Sequence, residues 1–363
     1  MFGHDHYVPV LKAKEGEYGA LHTLPSASRK AMTPLLEIPP IDWDYELERP
    51  KKTIDQHLEK VGQKIQRAWG GDGHVFVDLP LWIPANERMS DGRHPLEYVF
   101  ASLRAHGIQG VPVMDVLRPN DYLSTCSDII AEDQRGVCLR IHRDDFLESD
   151  DIGATIIVAL EKVGANIGHT DLVIDLKGLT SDQPLNPTSL IDLLNRLPAL
   201  NQWRTFTLAG TSFPRNLTGL PPSEFSYLPR DEWNLWKNLV RSDVRFDRLP
   251  TFGDYGISSS EPSEVDPRII RPSASIRYTH DTYWLVSKGR NLRDHGFDQF
   301  HDVCRALIQR PEYAGQQFSW GDEYIYECAA RRCGPGNLST WRKVGTSHHL
   351  AFVVRQLATE VGS

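Results

Sequence analysis

The sequence predicts an α/β fold: a (β/α)8 barrel of the TIM type, with a C-terminal hairpin and helices packed on it. Three observations predict it. Short apolar, β-branched runs alternate with longer stretches of helical periodicity, the pattern of repeated βα units around a parallel sheet. Eight such runs can be counted, and each link between them is long enough for a right-handed crossover. An open, doubly wound sheet uses the same units, but no G-x-G-x-x-G turn follows any run, which favours closure and gives no support to a dinucleotide site.

In chain order the expected strands are residues 7–14, 33–38, 74–79, 111–116, 137–142, 171–177, 204–210 and 249–253. Between them Ile54, Leu58, Val61 and Ile65, and again Ile156, Ala159, Leu160 and Val163, keep helical spacing. Asn186 is a good N-cap for a helix over 187–197, and Pro229 precedes another over 231–241. After the eighth strand Pro262, Pro267 and Pro272 punctuate a loop, and 275–278 with 283–287 read as a hairpin around His280-Asp281. Helices over 297–309 and 321–331 follow. A turn from Cys333 to Asn337 then leads to a last amphipathic helix from about His348 to Glu360.

Only seven helices precede Gly256, so the stretch 297–309, with Phe297, Phe300, Val303, Cys304 and Leu307 at helical spacing, is expected to supply the eighth. Residues 1–260 would then hold the barrel strands and the first seven helices. Residues 261–363 would add the hairpin insertion, the eighth helix and a helical extension to the same structural unit.

Hydrophobic residues make up 40% and charged residues 24% of the 363, enough for a sizeable core and unlike a disordered or membrane composition. No run approaches the roughly 18 apolar residues of a membrane span. The first ten residues carry His and Asp where a signal peptide is basic and then apolar, so a cytoplasmic protein without membrane association is expected. Five cysteines without a C-x-x-C pair support neither a disulfide framework nor a zinc ribbon, and are expected as buried thiols. A net charge of -8 argues against coating nucleic acid by bulk electrostatics. From Pro267 onward, however, 13 Lys and Arg face 9 Asp and Glu, so the C-terminal part permits a local basic surface.

Functional side chains of such a barrel sit at the C-terminal ends of the strands, because the interior below is filled by apolar layers. Those ends carry Lys12 and Lys14, Glu37, Asp78, Asp115 and Arg118, Arg140 with His142 and Arg143, Asp175 and Lys177, Ser212, and Asp254 with Tyr255. Alternate strand residues point the same way, so Lys12 with Lys14 and Asp175 with Lys177 are expected to face the mouth together. Such a charged rim suits acid/base work by Glu37, Asp78, Asp175 and Lys177 and phosphate binding by Lys12, Lys14 and Arg140. It equally suits a structural ion-pair network. Glu37, Asp78 and Asp175 are hard oxygen donors, but no H-x-H or D-x-D spacing points to a metal, and none is expected. The sequence names no cofactor.

Three further clusters stand out. Small residues at Gly210-Thr211-Ser212 follow the seventh strand, where barrels often bind phosphate, and make Ser212 a candidate. Asp254 and Tyr255 stand between Gly253 and Gly256, a loop that brings backbone close to a ligand. Trp341-Arg342-Lys343 with His348-His349 suits hydrogen bonding and docking. With Arg277, Tyr278 and Trp284 of the hairpin it forms a candidate partner surface. Nucleophilic triads find little support, since there is no G-x-S-x-G elbow.

Tyr7-Val8-Pro9-Val10-Leu11-Lys12 with Gly16-Glu17 and Ala20-Leu21, then Pro34-Leu35-Leu36-Glu37-Ile38, resembles the start of the beta protein family of phages, satellite phages and prophages. Thr211-Ser212-Phe213-Pro214, Arg230-Asp231-Glu232-Trp233, Gly253-Asp254-Tyr255, Ile276-Arg277-Tyr278-Thr279, Lys288-Gly289, Trp341-Arg342 and His348-His349 resemble its later blocks, in order. The resemblance implies a place in a mobile element, in a setting of antiphage defence or toxin–antitoxin-like control, since one member lies beside a host-killing toxin gene that it is thought to restrain. It implies no catalytic residues. Two functions follow as expectations. One is a component that binds a partner through the barrel mouth and basic C-terminal extension, the partner being a protein of the same locus, with nucleic acid or a nucleotide as the other ligand class. The alternative is an enzyme acting on a phosphate-bearing nucleotide or nucleic acid.

Overall fold

The computed structural model describes residues 2–71, 73–79, 83–84, 86–179, 187–242, 248–261 and 271–361. Asn186, Pro262 and Pro267 of the sequence reading lie outside these. Eight strands form the barrel: β1 (Tyr7–Lys12), β2 (Leu35–Glu37), β3 (His74–Asp78), β4 (Gln109–Met114), β5 (Val137–His142), β6 (Thr170–Gly178), β7 (Thr205–Thr211) and β8 (Thr251–Asp254). They pair in parallel in chain order, and β8 closes on β1 with Tyr7 opposite Phe252 and Pro9 opposite Asp254. The fold is a closed (β/α)8 barrel, as the sequence predicts.

Strand alternation sorts the side chains into two layers. Val8, Val10, Leu35, Phe76, Val113 and Val173 fill the barrel interior, while Tyr7, Leu11, Leu36, Val77, Leu139 and Phe252 face the surrounding helices. Each such side chain, fully buried, contributes about 1.5–3 kcal/mol of transfer free energy. Because the interior is solid, anything that reacts or binds must do so where the strands end.

The eighth barrel helix is Leu338–Val361, which corrects the expectation that 297–309 supplies it. Leu350, Val353 and Leu357 join the core that holds Tyr7 and Phe252, so this helix covers the seam between β8 and β1. The stripe on Gln299–Leu307 instead packs Phe300, Cys304 and Leu307 against Ile276, Leu285 and Ile325, in a separate cluster under a small antiparallel sheet. The last helix also begins well before His348. Asn337 Oδ1 accepts the Thr340 N–H at 3.0 Å as its cap. Gly345 within this helix serves close approach: a Cβ there would lie 2.6 Å from Ile257 Cδ1 and 2.9 Å from the Arg277 carbonyl.

The small sheet orders its strands Glu224–Pro229, Tyr283–Asn291, Ser273–Thr279. Its hairpin matches the sequence reading. The edge strand Glu224–Pro229, inserted between β7 and the helix Asp231–Val240, is absent from the sequence reading: its alternation is short, Phe225 and Tyr227 against Glu224 and Ser226, and it runs into Pro229. Among the described residues no helix is long and apolar enough to cross a membrane.

Candidate functional site

Lys12, Glu37 and Asp78 stand in register on β1, β2 and β3. Asp175 and His142 pair in the same way on β6 and β5. Arg140, one inward position below His142, reaches across to all three acids. Its Nη2 donates to Glu37 Oε1 at 2.8 Å and its Nη1 to Asp78 Oδ2 at 2.7 Å. Its Nε and Nη2 donate to Asp175 Oδ2 at 2.9 and 2.7 Å. The Tyr255 hydroxyl lies 2.8 Å from Nη2 and donates to Asp175 Oδ2 at 2.6 Å.

Arg118 extends the network on the other side, at 2.8 Å from both Asp78 Oδ1 and Asp115 Oδ2. Arg140 is 4% exposed and Asp175 0%, so these are buried, multiply bonded charges that hold one another ionised. Burial opposes the charge on Asp175, but Arg140, His142 and Tyr255 outweigh it and hold the carboxyl well below the usual range. Burial wins at Glu37, whose carboxyl is pushed up despite Arg140.

Arg140 is therefore engaged with carboxylates and is not a free phosphate donor in this geometry. The place between Glu37, Asp78 and Asp175 that a divalent ion would take is filled by its guanidinium. Among the described residues no group of three or more His, Cys, Asp or Glu is placed to hold a metal. Lys177 does not join the cluster. Its φ of 52° turns the chain out of strand geometry, so the side chain is exposed while its N–H donates to Asp175 Oδ1 at 2.8 Å.

A recess of about 10 Å³, room for one water, is lined by Val10, Leu11, Lys12, Glu17, Tyr255, Ser258 and Thr346. Lys12 is half-buried and its ammonium is pushed down by burial, with Glu37 opposing. Lys14 lies beyond the strand and is exposed. Arg342 donates from Nη1 to Ser258 Oγ at 2.6 Å and sits 3.8 Å from the Glu17 carboxylate.

Asp254, the neighbour of Tyr255, points the opposite way, into the layer between β8 and the last helix. It accepts from the Tyr7 hydroxyl at 2.5 Å and from His349 Nε2 at 2.9 Å, while His349 Nδ1 meets Thr279 Oγ1 at 2.7 Å. A carboxylate only accepts, so Nε2 carries the proton and the threonine hydroxyl donates to Nδ1. His348 points elsewhere on the same helix, with Nδ1 2.9 Å from Asp322 Oδ2 and Nε2 2.8 Å from the Thr279 carbonyl. Tyr278 donates to the other oxygen of Asp322 at 2.6 Å.

These placements revise several sequence expectations. His348, His349, Tyr278, Trp284 and Trp341 are all buried, so they fasten the extension to the barrel and cannot form a partner surface. Of that group only Arg277 and Arg342 keep partial exposure. Asp254 is likewise a buried joint and not a phosphate contact. Ser212 gives its N–H and hydroxyl to Glu232 Oε2 at 3.0 and 2.7 Å, so a carboxylate of the chain itself takes the place proposed for phosphate. Sequence reasoning missed Asp322, and it named Arg230 and Glu232 only within a family block, without a role. Arg230 is fully buried, 5.4 Å from the Trp233 ring and 5.9 Å from that of Trp284; the family block marks its position but not its burial.

The family model for beta protein matches residues 7–355, from the first barrel strand into the last helix. The chain belongs to the beta protein family. The matched span of this beta protein includes both the mouth network and the two buried histidines. No curated protein matches the chain. Among solved structures it is similar to the tryptophan synthase a2b2 complex of Pyrococcus furiosus, at 15% identity over 71% of this chain and 90% of that one, with a TM-score of 0.39. It is also similar to a mutant tryptophan synthase alpha-subunit of the same organism, at 14% identity over 59% and 90%, with a TM-score of 0.29. The barrel assignment for this beta protein rests on its own strand order.

Proposed function

We propose that this beta protein is the binding component of an antiphage or toxin–antitoxin-like locus, engaging a protein encoded beside it through the rim of the barrel mouth and the C-terminal extension. The observation that carries this reading is the engagement of the mouth's buried cation: Arg140 is held by Glu37, Asp78 and Asp175, so the inner ring of charges is satisfied within the chain. Groups suited to contact stand outside that network. Leu117 and Leu147, just after β4 and β5, are 62% and 74% exposed; Lys177 in β6 faces solvent, as does Lys14 after β1. Apolar anchors amid charge suit a protein partner. Co-purification from the native operon yields a stable complex on this reading; a chain that stays alone at micromolar concentration with all neighbouring gene products overturns it.

One observation favours an enzyme acting on a phosphate-bearing nucleotide or nucleic acid instead. Glu37, pushed up by burial, and Lys12, pushed down, are paired on adjacent strands beside the recess, an arrangement suited to proton transfer. Glu37→Gln then abolishes the biological activity while the fold persists. Full activity in that variant removes the catalytic reading and leaves the binding one.

A further inference from the structure

Two guanidinium groups converge on one carbonyl oxygen at the seam of the barrel. Arg277 Nη1 donates to the Ile257 oxygen at 2.7 Å, and Arg342 Nη1 reaches the same oxygen at 3.3 Å. Arg277 has no ion pair among the described residues, and the nearest acid to Arg342 is Glu17 at 3.8 Å. Lys12 also has no ion pair among the described residues, its Nζ lying 3.4 Å from the Glu261 carbonyl. The charges of Arg342, Lys14 and Lys12 all act on Glu17, whose own carboxyl is pushed up by burial. Burial, and then Arg342, push Arg277 down to about 9. Like charges gathered with so little compensation destabilise the fold unless an anion joins them.

We propose that Arg277, Arg342, Lys12 and Lys14 form a subsite for the phosphate group of a phosphomonoester, where β1, residues 257–258 and the helix Leu338–Val361 meet. A phosphate dianion matches two guanidinium forks and two ammonium groups better than a single carboxylate does. Ser258 and Thr346 line the adjoining recess and supply hydroxyl donors. The recess has room for only about one water, so the phosphate sits at the rim with its ester substituent toward solvent. This goes beyond the protein-binding reading by adding a phosphate ligand at the same rim, and it is tested separately from it. The phosphate can belong to a free nucleotide or to the 5′ end of a nucleic acid.

The test is calorimetric titration of the full chain with a nucleoside 5′-monophosphate, and with one oligonucleotide carrying either a 5′-phosphate or a 5′-hydroxyl. Binding of the monophosphate points to a nucleotide. Binding of the phosphorylated oligonucleotide alone points to a nucleic-acid end. Either affinity drops at least about tenfold in Arg342→Gln, the loss of a charge-assisted contact. Lys14→Gln, at an exposed position, weakens it without loss of melting temperature, which keeps the result readable if Arg342→Gln folds poorly. No binding in either format, equal binding of the 5′-hydroxyl strand, or unchanged affinity in both variants overturns the subsite. Co-purification with locus proteins reads the partner separately, so one can fail while the other stands.

Discussion

His349 Nε2 lies 2.9 Å from Asp254 Oδ2 and fastens the last helix to the eighth barrel strand. Both side chains are fully buried, so the joint is sensitive to protons. Burial pushes His349 down, and its carboxylate partner offsets this only in part. Asp254 is held low because His349 and Arg230 outweigh its burial. A histidine depressed in the folded state leaves the unfolded chain binding more protons below its ordinary pKa of about 6.5, so stability falls as pH drops through that value. A depressed carboxyl adds a further loss as pH falls below about 4. Melting temperatures of the wild type and of His349→Gln, compared from pH 8 to 5, are expected to converge toward pH 5, because the variant lacks the histidine's share of the dependence. Parallel curves would show that His349 titrates alike folded and unfolded.

Arg140 is predicted to be a structural clamp. Arg140→Met leaves Glu37, Asp78 and Asp175 facing one another without their shared cation, at a cost of roughly 3–5 kcal/mol, read as a fall in the denaturant midpoint at pH 7. Arg140→Lys recovers only part of it, because one ammonium cannot reproduce the planar fork that meets all three acids. A melting curve like that of the wild type in Arg140→Met would contradict the clamp.

Removal of residues 338–363 strips the seam between β8 and β1 of Leu350, Val353 and Leu357, which belong to the barrel's own core. The truncated chain is expected to be insoluble, or soluble with dye-binding apolar surface and no cooperative melting. Gly321→Ala is a milder form of the same test. The new Cβ would lie 2.2 Å from the Val344 carbonyl oxygen and force the helix Trp320–Ala329 away from the last one, at about 1–3 kcal/mol. A cooperative, wild-type-like melt of the truncated chain would show that the barrel closes without its last helix.

The barrel was legible because its strands are short apolar runs whose residues alternate between two layers, a signal local to each strand. The gathering of Lys12, Glu37, Asp78, Arg140, Asp175 and Tyr255 near the mouth was legible for the same reason, since each lies at or next to a strand end. The rest depends on long-range partners. His348 and His349 read as surface groups because Asp322 and Asp254, which bury them, are 26 and 95 residues away. Lys177 read as inward because alternation assumes an unbroken strand, and its positive φ breaks it. The eighth helix was misplaced because Gln299–Leu307 also carries an apolar stripe, and a stripe does not say which surface it covers.

Co-purification with the neighbouring gene products, run on the wild type beside Glu37→Gln and the double rim variant Leu117→Ser/Leu147→Ser at two exposed positions, decides most directly between a binding rim and a catalytic mouth. The wild type and Glu37→Gln are predicted to retain the partner at equal yield, while the rim variant loses at least about tenfold in affinity and keeps its melting temperature within a few degrees. A rim variant that holds the partner as the wild type does, together with loss of biological activity in Glu37→Gln alone, would contradict it.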